Sequence, residues 1–176
     1  VGEIWAGRSV IRSCGKLSYP MVQTMIEGEY SAKPGEEPPC QLHGNYQWTD
    51  VYEDCMALYK ISRNLRKQRF DNGSLRLDNA RLYYELDDGG RPIDCGVYVL
   101  KEANQLVEEF MLLANMTAAS IVSESYPDRA LLRCHPPPNG EKMAELTQTS
   151  QMHLGIFLDT SSSKALHKSL EALRND

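Results

Sequence analysis

The most pointed chemistry in this chain is a pair of adjacent carboxylates inside an apolar stretch. Glu108 and Glu109 fall within Asn104 to Ser125, a segment otherwise rich in Leu, Met and Ala. A carboxylate in such surroundings must be paired or must face a cleft, because burying a lone charge is costly. Cations cluster elsewhere: Lys60, Arg63, Arg66, Lys67 and Arg69 lie within ten residues. Clustered cations on one helix can grip a phosphate backbone or can simply solvate a surface. The five cysteines, Cys14, Cys40, Cys55, Cys95 and Cys134, form no C-x-x-C pair. That spacing fits scattered reduced thiols better than a zinc site or a disulfide framework. Asp87-Asp88-Gly89-Gly90 offers a second carboxylate pair, but its glycines mark it as turn chemistry.

The elements that must position these groups follow from periodicity. Apolar residues of the acid-bearing segment recur at helical steps: Leu106, Val107, Phe110, Leu113, Ala114, Thr117, Ala118 and Ile121 share one broad stripe. Asn104, Glu108 and Asn115 run along one border, and Gln105, Glu109 and Ser120 along the other. The far side holds Leu112, Met116 and Ala119, so this long helix is expected to be covered on most sides. Trp48, Val51, Cys55, Leu58, Ser62 and Leu65 predict a second helix of about 20 residues, with the basic cluster on its later half. Ser18 reads as an N-cap and Pro20 as a first-turn residue of a short helix over Tyr19 to Glu27. Extended stretches are expected at Ile4–Arg12 and Ala130–Arg133, and a short buried strand at Gly155–Asp159. A hairpin is expected over residues 75–100, with Leu75, Leu77, Leu82 and Tyr84 on its first arm. Glu141–His153 and Lys164–Leu173 predict two further helices, the last capped from Ser161–Ser163. Lys33-Pro34-Gly35-Glu36-Glu37-Pro38-Pro39 cannot hold a helix, and the loop over 28–47 is expected to be flexible.

Composition bounds the rest. The chain has 176 residues, 41% hydrophobic and 24% charged, with net charge −5. It holds no uninterrupted apolar run of about 18 residues. An acidic total argues against a free-standing nucleic-acid binder but permits a local basic groove. Val1 in place of Met, and an end at Leu173-Arg174-Asn175-Asp176, lead us to expect a piece of a longer protein.

Four blocks in order carry a family resemblance. Val107-Glu108-Glu109-Phe110-Met111-Leu112-Leu113-Ala114-Asn115-Met116 resembles the central helix of the RNB domain, the catalytic domain of RNase II, RNase R and the eukaryotic Dis-three proteins. Leu131-Leu132-Arg133-Cys134-His135-Pro136-Pro137-Pro138 resembles that family's LLR-x-HPPP segment. Gly7-Arg8-Ser9-Val10-Ile11-Arg12-Ser13 with Lys16-Leu17-Ser18-Tyr19, and Arg69-Phe70-Asp71-Asn72-Gly73-Ser74-Leu75, resemble two further blocks. The run Asp159 to Leu170 is similar to the Dis-three-like exonuclease 2 type, a cytoplasmic enzyme working outside the exosome.

The resemblance implies a mixed α/β fold: short strands and a long buried central helix, the middle of an RNB domain spanning 1–176. It implies a 3′-to-5′ exoribonuclease that processively releases 5′-monophosphates from single-stranded RNA ends in cytoplasmic decay, P-bodies included, with no membrane and no obligatory exosome partner. Magnesium or manganese would be held by an aspartate cluster upstream of Val1, and a catalytic arginine would lie downstream of Asp176. On this reading the chain itself supplies no catalytic or metal residue, and alone it is inactive. It supplies the RNA grip. Tyr19 matches a tyrosine near the terminal nucleotides, and either Glu108 or Glu109 matches an acid that prefers RNA by accepting from the 2′-hydroxyl. Asn115, seven residues on along the same border, would orient Glu108. Arg12, Lys16 and Arg133 are candidate phosphate contacts. Cys134 departs from the pattern, standing where the family mostly has a second basic residue. Two alternatives stand beside this reading: an RNB-domain regulator that binds RNA without cleaving it, and an independent protein-interaction domain.

Overall fold

Residues 4–75 and 81–174 are described by a computed structural model of the chain. Five helices and a two-stranded antiparallel sheet are present among them, a mixed α/β architecture. The chain divides into two compact units, Val1–Leu65 with Val99–Leu131, and Arg66–Tyr98 with Leu132–Asp176.

The first unit is helical. Helix α1 covers Tyr19–Ile26, α2 runs Trp48–Asp71 and passes into the second unit at its end, and α3 covers Glu102–Ser125. Ser18 caps α1 as predicted, its hydroxyl accepting from the Met21 amide at 3.5 Å. Most of the predicted stripe of α2 turns inward: Trp48, Val51, Cys55 and Leu65 are half-buried and Ser62 is buried, while Leu58 is exposed. The Ser62 hydroxyl is spent on its own helix, donating to the Tyr59 carbonyl at 2.8 Å.

Two side-chain hydrogen bonds and an ion pair tie α3 to its neighbours at its first turn. Helix N-termini leave amide groups without intrahelical partners, and Lys101, at the N-cap position, offers no side-chain acceptor. The Gln23 amide oxygen of α1 accepts instead from the Ala103 amide at 3.0 Å. On the other side, the Tyr59 hydroxyl of α2 donates to the Glu102 carboxylate at 2.7 Å, and Arg63 pairs with the same oxygen at 3.5 Å. Burial and the Glu102 carboxylate together push the Tyr59 phenol above its ordinary pKa. Tyr59→Phe is expected to destabilise the protein by about 1 kcal/mol, the net worth of one intramolecular hydrogen bond. Urea titration checks this; an unchanged midpoint would remove the bond from the account of stability.

The burial expected of α3 is not met within this chain. Only Ala103 and Glu109 on it are buried, while Met111 and Met116 are 60% and 61% exposed. The segment from Ile4 to Arg12 forms no strand, and its side chains are exposed. β-Branched residues such as Val10 and Ile11 favour strands only where a partner strand completes the ladder.

The loop after α1 has local structure of its own. The Glu36 carboxylate accepts from the Ser31 amide at 2.9 Å, the Ser31 hydroxyl at 3.1 Å and the Lys33 amide at 3.2 Å. Those donors hold its pKa below the ordinary glutamate value. Tyr30 and Trp48 meet edge to face at 6.2 Å, and Ala32 takes a left-handed φ of 56°.

The second unit holds the end of α2, strands β1 (Arg81–Leu86) and β2 (Pro92–Tyr98), and helices α4 (Gly140–Leu154) and α5 (Ser163–Arg174). The hairpin closes where expected, with Asp87 accepting from the amides of Gly89 and Arg91 at 2.9 and 2.8 Å. Leu75 precedes β1 and Leu77 lies outside the described residues. Residues 130–133 and 155–159 form no strand. The latter stretch is held by side chains: Ser150 donates to the Ile156 carbonyl at 3.1 Å, and Ser169 accepts from the Asp159 amide at 3.1 Å. Leu158 is buried there as predicted. Asn139 and Ser162 cap α4 and α5.

Candidate nucleic-acid interface

A cavity of about 530 Å³ opens in the first unit, between the start of α1, the middle of α2 and the first two turns of α3. Tyr19 and Val22 form one wall, Cys55 and Leu58 a second, and Ala103, Leu106 and Val107 a third. Tyr19 is 48% exposed, so its phenol stands between solvent and an apolar hollow. A ring so placed can stack on a planar group entering from solvent and still offer a hydroxyl.

The predicted RNA-binding residues divide into three groups. Tyr19 lines the cavity. Glu108 and Glu109 do not: a helical step of about 100° turns both acids more than about 100° away from the face of Ala103, Leu106 and Val107. Glu109 is buried at 3% exposure and Glu108 is half-buried. Asn115 is exposed, two turns beyond Glu108. That is about 10 Å along the axis, too far for a direct hydrogen bond between the two side chains. Arg12 and Lys16 are exposed on the segment leading into α1. Arg133 belongs to the second unit and is exposed there.

The basic cluster on α2 is largely committed to structure. Arg63 pairs with Glu102, and the guanidinium groups of Arg66 and Arg69 lie 5.1 and 4.9 Å from the centre of the Phe70 ring. The imidazole of His167 also lies against that ring, at 5.4 Å. Lys60 and Lys67 remain exposed.

Cys55 has a distinct chemistry within the cavity wall. Burial, then the charge of Asp54 and the neighbouring Cys14, push its thiol above the ordinary value. The nucleophile is the thiolate, so Cys55 should be alkylated more slowly than the exposed Cys95 and Cys134 at pH 7.5. Timed maleimide labelling with peptide mass mapping measures the order; Cys55 reacting first would contradict the burial assigned to it.

Sequence reading missed Gln23, Tyr59 and Glu102, which bond together the three helices that line the cavity. Their partners stand 80 and 43 residues away, so no local pattern announces them.

Among the described residues no three His, Cys, Asp or Glu side chains converge as metal ligands. Asp87 spends a carboxylate oxygen on its own turn. The described residues do not fit a divalent-metal centre.

The sequence profile of the RNB domain matches residues 1–176. The chain belongs to the RNB domain family. A protein of Arabidopsis thaliana named DIS3-like exonuclease 2 is 45% identical over 169 residues, covering 96% of this chain and 16% of that protein. A second Arabidopsis protein, named inactive exonuclease DIS3L2, is 44% identical over the same coverage. DIS3-like exonuclease 2 of Xenopus tropicalis is 44% identical over 174 residues, 96% of this chain and 20% of that protein. The chain thus spans about a sixth to a fifth of these relatives. Among solved structures, RNase R of Mycoplasma genitalium bound to ribose-methylated single-stranded RNA superposes with a TM-score of 0.72. It shares 20% identity over 89% of this chain and 23% of its own length, a likeness of fold. The mixed α/β arrangement read from the sequence is therefore the RNB fold.

Proposed function

We propose that this RNB segment is the RNA-gripping middle of a 3′-to-5′ exoribonuclease that processively hydrolyses single-stranded RNA to 5′-monophosphates. The observation that carries the reading is the RNB match over the whole chain, together with Tyr19 at the mouth of an apolar cavity. In this role the chain binds and orients. Tyr19 meets a terminal nucleotide, one of Glu108 and Glu109 reads the ribose, and Arg12, Lys16 and Arg133 neutralise phosphates. Magnesium or manganese, bound by residues beyond this segment, would activate water and steady the leaving oxygen when present. Cytoplasmic RNA decay, P-bodies included and without an exosome partner, is the setting proposed.

The decisive experiment gives the full open reading frame a labelled 3′-tailed RNA with magnesium. Stepwise shortening from the 3′ end with release of monophosphates is the expected result. RNA bound tightly but left intact would establish the other reading, a regulator that has lost cleavage. That reading draws support from the 44% identical relative named as an inactive exonuclease. Absence of both binding and cleavage would sink both.

A further inference from the structure

The bond between Gln23 and α3 does more than satisfy an amide. Gln23 is 5% exposed, and both ends of its carboxamide are used. The oxygen accepts from the Ala103 amide at 3.0 Å, and the nitrogen donates to a Glu27 carboxylate oxygen at 2.9 Å. With an N–H on one side and a carboxylate on the other, only one orientation of the carboxamide satisfies both.

The position of this bond matters. Gln23 stands one helical turn after Tyr19 on α1, and Ala103 stands one turn before Leu106 and Val107 on α3. The bond therefore joins α1 and α3 one turn after Tyr19 on one helix and one turn before Leu106 and Val107 on the other. Helix α3 has no side-chain cap from Lys101, so α1 provides the acceptor from across the interface. A cap supplied by another helix fixes the register of the two helices as well as the helix end. Glu27 is exposed, and its carboxylate holds the Gln23 amide as a strut.

We propose that Gln23 is a positioning residue for RNA binding: by capping α3 from α1, braced by Glu27, it fixes Tyr19 against Leu106 and Val107. The proposal rests on reading Tyr19 as part of the RNA grip. Without the bond the two helices can slide, and the Tyr19 ring loses its set distance from α3. Misplacement of a binding group by about 1 Å is enough to cost much of its effect.

The test measures Kd for a single-stranded RNA and the matching DNA, using the full-length protein and its variants. Gln23→Leu should weaken RNA binding about tenfold, the scale of one lost buried hydrogen bond, and weaken DNA binding less. The exchanged pair Gln23→Glu with Glu27→Gln should restore RNA affinity, since a glutamate at 23 can accept from both Ala103 and a glutamine at 27. Combined with Tyr19→Ala, the Gln23→Leu change should add little, because it acts through the same ring. Additive losses, an RNA-to-DNA ratio equal to the parent's, or no restoration by the exchanged pair would overturn the proposal. If Gln23→Leu fails to fold, Glu27→Ala decides: it keeps the Ala103 bond but removes the strut, and RNA affinity unchanged from the parent would overturn the proposal. A parent that binds no RNA would overturn the functional reading itself. A parent that binds while the variants show no coupling would overturn this inference alone.

Discussion

Purified alone, the 176-residue chain is expected to melt without a sharp transition. Among the described residues only Met25, Ala32 and Ala103 in the first unit, and Leu158 and Leu166 in the second, are buried apolar side chains, and two of these are alanines. Full burial of a large apolar side chain contributes about 1.5–3 kcal/mol, whereas ordering each residue's backbone costs about 1–2 kcal/mol. The local terms are in good order: caps at Ser18, Asn139 and Ser162, and the turn at Asp87, favour helices and a hairpin without a packed interior. Far-UV circular dichroism should therefore show helix while near-UV signals stay weak, and the chain should bind a hydrophobic dye. Calorimetry is the check. A single two-state peak with equal calorimetric and van't Hoff enthalpies would show that these five residues underrepresent the true core.

The second large effect concerns the choice of sugar. In the full-length protein, Tyr19→Phe, Glu108→Gln and Glu109→Gln are expected to erode discrimination of RNA from DNA. The residue that accepts from the 2′-hydroxyl should account for about ten- to a hundredfold of the ratio. Because the acids turn away from the cavity that Tyr19 lines, the Tyr19 effect and the acid effect should combine additively. Glutamine is the appropriate replacement at Glu109, since it preserves volume at a buried position. Divalent-metal affinity should not move in any variant. Competition binding with matched RNA and DNA strands measures the ratio, and RNA preference intact in all three would remove these residues from the sugar-reading role.

How much of this was legible in sequence depended on whether the controlling interaction was local. The α2 helix, the Ser18 cap and the Asp87 turn each depend on neighbours within four residues, and each is where the pattern placed it, although Leu58 of the α2 stripe is exposed. Failures began where a partner at long range was required. Val10 and Ile11 have strand-forming side chains, but no strand lies beside them. The apolar circumference of α3 promised cover, yet a helix cannot supply its own, and Met111 and Met116 stay in solvent. Gln23 is the converse case: a polar residue in a short helix reads as surface, and only a partner 80 residues away makes it interior. Tyr19 was found through the family motif, since nothing in its local spacing distinguishes it from a tyrosine at a helix start.

The hairpin carries one more consequence, for how this protein can be handled. Leu82, Tyr83 and Tyr84 on β1, and Ile93 and Val97 on β2, are exposed, and among the described residues each strand of the sheet has one neighbour only. Exposed strand edges are templates for stacking with other copies. Glu85 faces Asp94 across the ladder, next to the register shift at Leu86, and Pro92 opens β2. Like charges opposite one another weaken the pairing. The same two carboxylates would meet their own kind in every added copy, and a proline has no amide to extend a ladder. The facing carboxylates of Glu85 and Asp94 are therefore expected to weaken the hairpin and, equally, its stacking with other copies. Neutralising Glu85 and Asp94 is expected to strengthen the hairpin and to raise the tendency of concentrated samples to aggregate.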